Sequence, residues 1–159
     1  MKTVRTMILS AVIVAAAAAS SSAQNTQDVT INVQAINKVS VAGGAHTMTI
    51  STATAGQAPD DVIWATSWAV TTNTTGAKIV ASIGTDLPTG ISLKVNMAEP
   101  TGASSNGDVE LDNTAKELVT GITKLNESGL ALTYTASATA AAGVQSVLRT
   151  VTYTVTGGV

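Results

Sequence analysis

The feature of this sequence that most limits its fold is a two-residue alternation of apolar and polar side chains, which recurs along most of the chain. In a β-strand successive side chains point to opposite faces, so this pattern buries one face of a sheet and leaves the other polar. The abundant Thr and Val also favour strands over helices. The apolar members of the alternating runs are Val29, Ile31, Val33, Ala35, Val39, Val41, Met48, Ile50, Ile79, Ala81, Ile83, Ile91, Leu93, Val95, Met97, Leu130, Leu132, Tyr134, Ala136, Val147, Val151, Tyr153 and Val155.

Turn-forming residues separate these runs, and several short strands at this spacing predict an all-β, antiparallel, two-sheet sandwich of the immunoglobulin-like type. Pro88-Thr89-Gly90 is one such turn, in which Gly90 is predicted to take a positive φ. One segment, 114–119, contains good helix formers and predicts a single helical turn instead.

The start of the chain has the organisation of a bacterial secretory signal. Lys2 and Arg5 precede an apolar run, and Ser21 and Ala23 supply the small residues of a cleavage site. The run is too short to span a bilayer, which needs about 20 residues. We therefore predict a signal peptide at residues 1–23 and a secreted protein that acts outside the cell or on its surface.

The predicted mature chain divides into an N-terminal strand, residues 24–36, and a sandwich domain, residues 37–159. It holds six basic and ten acidic residues, a net charge of −4, which argues against a nucleic-acid partner. No later stretch is long and apolar enough to predict a membrane span. Cys is absent, so the fold must be held by its core alone.

Residues suited to catalysis or metal binding are sparse. His46 is the only histidine, and it continues the alternation of Met48 and Ile50, which predicts a partly buried strand residue. Asp108, Glu110 and Asp112 alternate, so their carboxylates share one face, as a weak calcium site or as the solvated face of an edge strand. We predict no cofactor and no enzymatic activity.

Trp64 and Trp68 share one face of a predicted strand. Two indole rings on a sheet can stack against sugar rings, which would make them a platform for carbohydrate. A core without any Phe also needs large apolar groups, and this favours packing of both rings inside the sandwich.

The predicted N-terminal strand presents Val29, Ile31, Val33 and Ala35 as a regular apolar row directly after a short polar lead. A strand at a free terminus can complete the sheet of a neighbouring copy, with backbone hydrogen bonds for affinity and alternate side chains in pockets. Such a head-to-tail contact propagates as an open fibre.

In the signal peptide, in segment 28–36 and in the Thr- and Val-rich last strand, 149–156, the chain resembles exported bacterial pilin or fimbrial subunits that polymerise by donor-strand exchange. The resemblance implies a structural, adhesive filament subunit that forms a homopolymer, its sandwich completed by a neighbour's N-terminal strand. The cysteine pair common in chaperone–usher pilins is absent, and a terminal strand is present. The alternative is a self-complete secreted module, with 28–41 as its own first strand, that binds carbohydrate or a surface protein.

Overall fold

The structure, a computed structural model, describes residues 24–159. The predicted signal peptide at residues 1–23 lies outside the described residues. The described residues fall into two units, 24–32 and 33–159. The described part of the first unit, residues 24–32, contains neither strand nor helix, and the second unit contains every element given below.

The second unit is built from short strands joined by turns and one 3₁₀ turn at Ala140–Ala142. The strands are β1 (Asn37–Val41), β2 (Val62–Thr72), β3 (Ala77–Ile83), β4 (Ile91–Met97), β5 (Ser104–Ser105), β6 (Val109–Glu110), β7 (Lys116–Ile122), β8 (Leu125–Ala138) and β9 (Val151–Thr156).

These strands form two antiparallel sheets with one hydrophobic core. The first sheet has the order β1-β2-β8-β4-β6, and the second has the order β5-β7-β3-β9. Buried residues of both sheets belong to one cluster. The predicted all-β, antiparallel, two-sheet sandwich is therefore confirmed.

The core follows the predicted alternation closely. In β3 every second residue is buried, and in the first sheet Val95 pairs with Tyr134 and Met97 with Leu132, all four of them buried. Burying an aliphatic side chain of this size contributes about 1.5–3 kcal/mol, so these rows supply much of the stability of a fold without disulfides.

Two local predictions differ from the structure. Met48 and Ile50 were expected in a strand, but residues 44–52 form none and both side chains are only half-buried. The helical turn predicted at 114–119 is wrong, because most of this segment belongs to β7, where Leu118 and Val119 are buried. Helix propensities differ by tenths of a kcal/mol per residue, whereas burial of each side chain contributes several times more.

The predicted turn before β4 has the expected backbone. The Ile91 N–H donates to the Pro88 carbonyl at 3.1 Å, and Gly90 has a φ of +87°. Gly90 also packs closely against the 3₁₀ turn, where a Cβ would lie 2.7 Å from the Ala142 nitrogen and 2.8 Å from Thr139 Oγ1. A side chain at residue 90 would therefore meet both backbone strain and a steric clash.

We expect Gly90→Ala to lower the free energy of unfolding by about 2–5 kcal/mol, because left-handed strain costs about 1–2 and overpacking about 1–3 kcal/mol. Gly84→Ala is the matched control, since its Cβ would meet no heavy atom within 4 Å and its φ is not positive. Urea unfolding of both variants measures the difference. Equal midpoints for the two variants would contradict the close packing at Gly90.

Candidate functional site

The N-terminal apolar row is exposed to solvent. The exposed fractions are 75% for Val29, 83% for Ile31 and 71% for Val33, and Ala35 is exposed as well. Residues 24–36 form no strand in the described chain. A donor strand would pair only in another copy, so its exchange stays a prediction.

The side chain of Asn73 holds the end of this segment against the sandwich. Its Oδ1 accepts from the Ile36 N–H at 2.7 Å, its Nδ2 donates to the Gln34 carbonyl at 2.7 Å, and its own N–H donates to the Ile36 carbonyl at 3.1 Å. An Asn amide offers both a donor and an acceptor, so it imitates a strand partner for residues 34–36. No local pattern in the sequence indicated this contact.

A second polar network fixes the start of β1 beside the end of β2. Asn37 Oδ1 accepts from the hydroxyl of Thr72 at 2.6 Å and from that of Thr74 at 3.0 Å, and both threonines are buried. Buried polar groups that are satisfied in this way restrict a segment to one geometry. The N-terminal segment therefore leaves the sandwich from a fixed position at the Thr72 end of β2.

A cleft of about 860 Å³ lies among the residues of the second unit, and we call it the inner-face cleft. Its floor is the inner face of the first sheet, where Ile91 pairs with Ala138 and Leu93 with Ala136. These four side chains are half-buried, in contrast to the fully buried Val95 farther along β4. The floor is thus apolar sheet surface that the second sheet covers incompletely.

Two segments without strand structure line the inner-face cleft, 46–53 and 139–149, the first continuously and the second almost so. Within the described chain, the backbone groups of residues 46–51 and 144–149 make no backbone–backbone hydrogen bonds. Backbone N–H and C=O groups nearly always find partners, so these stretches can accept a further strand.

Arg149 connects segment 139–149, the second wall of the cleft, to the loop after β3. Its guanidinium donates to the carbonyls of Asp86 at 2.7 Å, Thr85 at 2.8 Å and Leu148 at 2.8 Å. Neither ion pair found among residues 24–159 includes it. The inner-face cleft therefore carries a positive group that forms no ion pair with a carboxylate of residues 24–159.

Three aromatic side chains stack at segment 46–53, the first wall of the cleft. Trp64 on β2 lies between His46 and Tyr134, with ring centroids 4.2 Å and 5.1 Å away and nearly parallel planes. Trp68 is 1% exposed and belongs to the core. The core interpretation describes Trp68, whereas Trp64 is half-buried. Sugar binding at the two rings stays a prediction. His46 is exposed and lies outside any strand, unlike the prediction.

The three alternating carboxylates are engaged separately. Asp112 accepts from the Thr114 N–H and forms an ion pair with Lys116 at 2.7 Å, and hydrogen bonds from Lys116 and Thr114 hold its pKa at about 2. Asp108 accepts from Asn96 Nδ2 at 2.7 Å, and Glu110 lies exposed on the edge strand β6. Residues 24–159 contain no group of three acidic or histidine side chains placed to hold a metal ion.

No protein-family model, curated protein or solved structure matches this sequence. In the part of the chain that the structure describes, no helix is long and apolar enough to cross a membrane. Three surface features of the molecule bear on its function: the exposed N-terminal row, its anchor at Asn73, and the inner-face cleft.

Proposed function

We propose that the protein is a structural subunit of an extracellular, pilus-like filament that polymerises by β-strand addition of its N-terminal segment, 24–36. The observation that carries this proposal is the exposure of Val29, Ile31 and Val33 on alternate positions of that segment. In this proposal residues 1–23 export the chain, and the partner is a further copy of the same protein.

The energetics favour a covered state of this row. Full burial of one Val or Ile side chain contributes about 1.5–3 kcal/mol, and three of them offset a substantial part of the cost of association, about 4–15 kcal/mol. Backbone hydrogen bonds along an added strand contribute further affinity. A sequence with only 11% charged residues, against about 25% in ordinary soluble domains, also suits a subunit whose flanks contact neighbours.

The test is a chain that begins at Gln24 and carries Val29→Ser, Ile31→Ser and Val33→Ser. We expect this triple variant to lose the filaments that the wild type forms in negative-stain electron microscopy, and to elute as a monomer in size-exclusion chromatography. The matched control carries Thr30→Ser and Asn32→Ser, which change the intervening positions of the same segment and should leave assembly intact.

Two outcomes would reject strand addition by this segment. One is a wild-type chain that stays monomeric at high concentration. The other is a triple variant that assembles as well as the control. The alternative function, a self-complete secreted module that binds carbohydrate or a surface protein, has no observation that favours it over strand addition. Trp68 is buried in the core, and Trp64 stacks against His46 and Tyr134.

A further inference from the structure

We infer that the inner-face cleft of one copy is the acceptor for residues 28–35 of a second copy. This inference rests on the proposed function and adds to it the place where the strand binds. Three independent features of the described chain support the assignment: the shape and chemistry of the cleft, the limited reach of the segment, and the distribution of charge.

The cleft matches an alternating strand in both its side-chain and its backbone surfaces. Its apolar floor, Ile91, Leu93, Ala136 and Ala138, is only half-buried and can take apolar side chains that point inward. Its walls offer backbone groups of 46–51 and 144–149 that have no backbone partners within residues 24–159. An incoming strand would satisfy these groups while its Val and Ile side chains cover the floor.

Reach requires that the strand come from another copy. Asn37, where the segment joins the sandwich, pairs with Thr72 at one end of β2, whereas Val62 at the other end pairs with Ala136 of the cleft floor. The ten residues from Val62 to Thr72 span about 33 Å at ~3.3 Å per residue. Val33 lies four residues before Asn37 and reaches at most about 14 Å, and Val29, eight residues before Asn37, reaches at most about 29 Å. The row Val29, Ile31 and Val33 therefore cannot fill its own cleft as a whole.

The same separation makes the contact head-to-tail. Each copy carries the base of its donor segment at the Thr72 end of β2 and its cleft near the Val62 end. A contact that joins unlike surfaces at opposite ends of a subunit repeats from copy to copy, and it gives a fibre unless the rotation between copies closes a ring.

Charge is complementary between the two surfaces. Asp28 is the only charged residue in segment 24–36 and stands directly before the apolar row. Arg149 lines the cleft, and neither ion pair of the described chain includes it. An Asp28–Arg149 pair between copies would favour the orientation that places the start of the apolar row beside Arg149, and partial burial would strengthen it.

Disulfide trapping tests this assignment cleanly, because the sequence contains no Cys and every thiol is an introduced one. Chains that begin at Gln24 and carry a single donor cysteine (Val29→Cys, Ile31→Cys or Val33→Cys) are mixed with chains that carry a single acceptor cysteine, Ala138→Cys. Because each chain holds one thiol, any mixed disulfide joins two copies. The matched control acceptor is Thr152→Cys, an exposed residue on the edge strand β9.

We expect one donor position to give a mixed disulfide with Ala138→Cys in at least tenfold higher yield than with Thr152→Cys under a mild oxidant. The comparison requires that the two acceptor variants have equal melting temperatures. Ile50→Cys on the cleft wall is a second acceptor in case Ala138→Cys unfolds. Filaments that form without either cleft disulfide, or that link at Thr152→Cys, would overturn the cleft assignment and leave strand addition standing. Absence of both filaments and links would overturn the two proposals together.

Discussion

Replacement of Trp68 by Ala is expected to lower the free energy of unfolding by about 3–5 kcal/mol, as for other fully buried large side chains. Trp68 is 1% exposed and lies on β2 between Val41 of β1 and Leu130 of β8. The chain has no Phe to fill the space left by the ring. Domains are typically stable by only 5–15 kcal/mol, so this change removes a third or more of the total.

Trp64→Ala is the matched control, because it removes the same side chain from the same face of the same strand at a half-buried position. We expect a smaller loss, since part of that ring already contacts water. Trp68→Phe should also cost less than Trp68→Ala, because it keeps a ring and removes the buried Nε1 donor, which has no hydrogen-bond partner in the described chain. Urea unfolding followed by far-UV circular dichroism compares all three. A loss for Trp68→Ala no larger than for Trp64→Ala would show that depth in the sandwich does not decide the cost.

The two tryptophans also show how far sequence reasoning reaches. Period two places both rings on one face of one strand, as the structure has them. It does not say that Trp68 lies under the second sheet, or that Trp64 lies near the end of the sandwich beside His46 and the cleft. How deeply each ring is buried depends on where the strands of the second sheet end, and those strands are distant from β2 in the sequence.

Alternating runs were predictable as strands where neighbouring strands of the sandwich pair with them. β3, β4 and β8 contain the predicted inward residues, because each can bury a whole row against the core. Residues 47–51 alternate in the same way but have no strand partner among residues 24–159, so they form no ladder of backbone hydrogen bonds. Segment 114–119 shows the reverse case, where tertiary burial outweighs a local preference for helix.

The candidate assembly surfaces also differ in whether the sequence could predict them. The exposed row at Val29, Ile31 and Val33 could be predicted, because its alternation is local. The Asn73 anchor and the inner-face cleft could not, since Asn73 contacts residues nearly 40 positions away and the cleft combines β4, β8 and two unpaired segments. Nothing in the spacing of those residues marks them as neighbours.

Alkaline solution is expected to destabilise this protein steeply, because two tyrosines share a buried hydrogen bond. Tyr153 OH donates to Tyr134 OH at 2.7 Å, Tyr134 is 8% exposed, and Tyr153 is half-buried. Burial raises the pKa of Tyr153 far above its ordinary value, and the hydrogen bond to Tyr134 raises it further. Burial also raises the pKa of Tyr134, although the bond from Tyr153 opposes this.

The sign of the effect follows from these directions. In the unfolded chain each phenol loses its proton near pH 10, whereas the folded chain keeps it protonated at higher pH. The contribution to stability is therefore fully present below pH 10 and is lost as pH rises above 10 toward the folded pKa. The loss for Tyr153 is about 1.4 kcal/mol per pH unit, or about 2.7 kcal/mol at pH 12.

The double variant Tyr134→Phe/Tyr153→Phe isolates this effect, because it removes both phenols and keeps both rings. At pH 8 its free energy of unfolding should lie within about 1 kcal/mol of the wild type, since removal of both partners leaves no unpaired buried group. Above pH 10 the wild type should lose stability faster, with a difference in slope that approaches about 1.4 kcal/mol per pH unit for Tyr153. Both proteins keep the same two ion pairs, so those pairs cancel in the difference. Urea unfolding at intervals from pH 8 to pH 12 measures it, and two curves that stay parallel to pH 12 would show that the tyrosine pair titrates as it does in the unfolded chain.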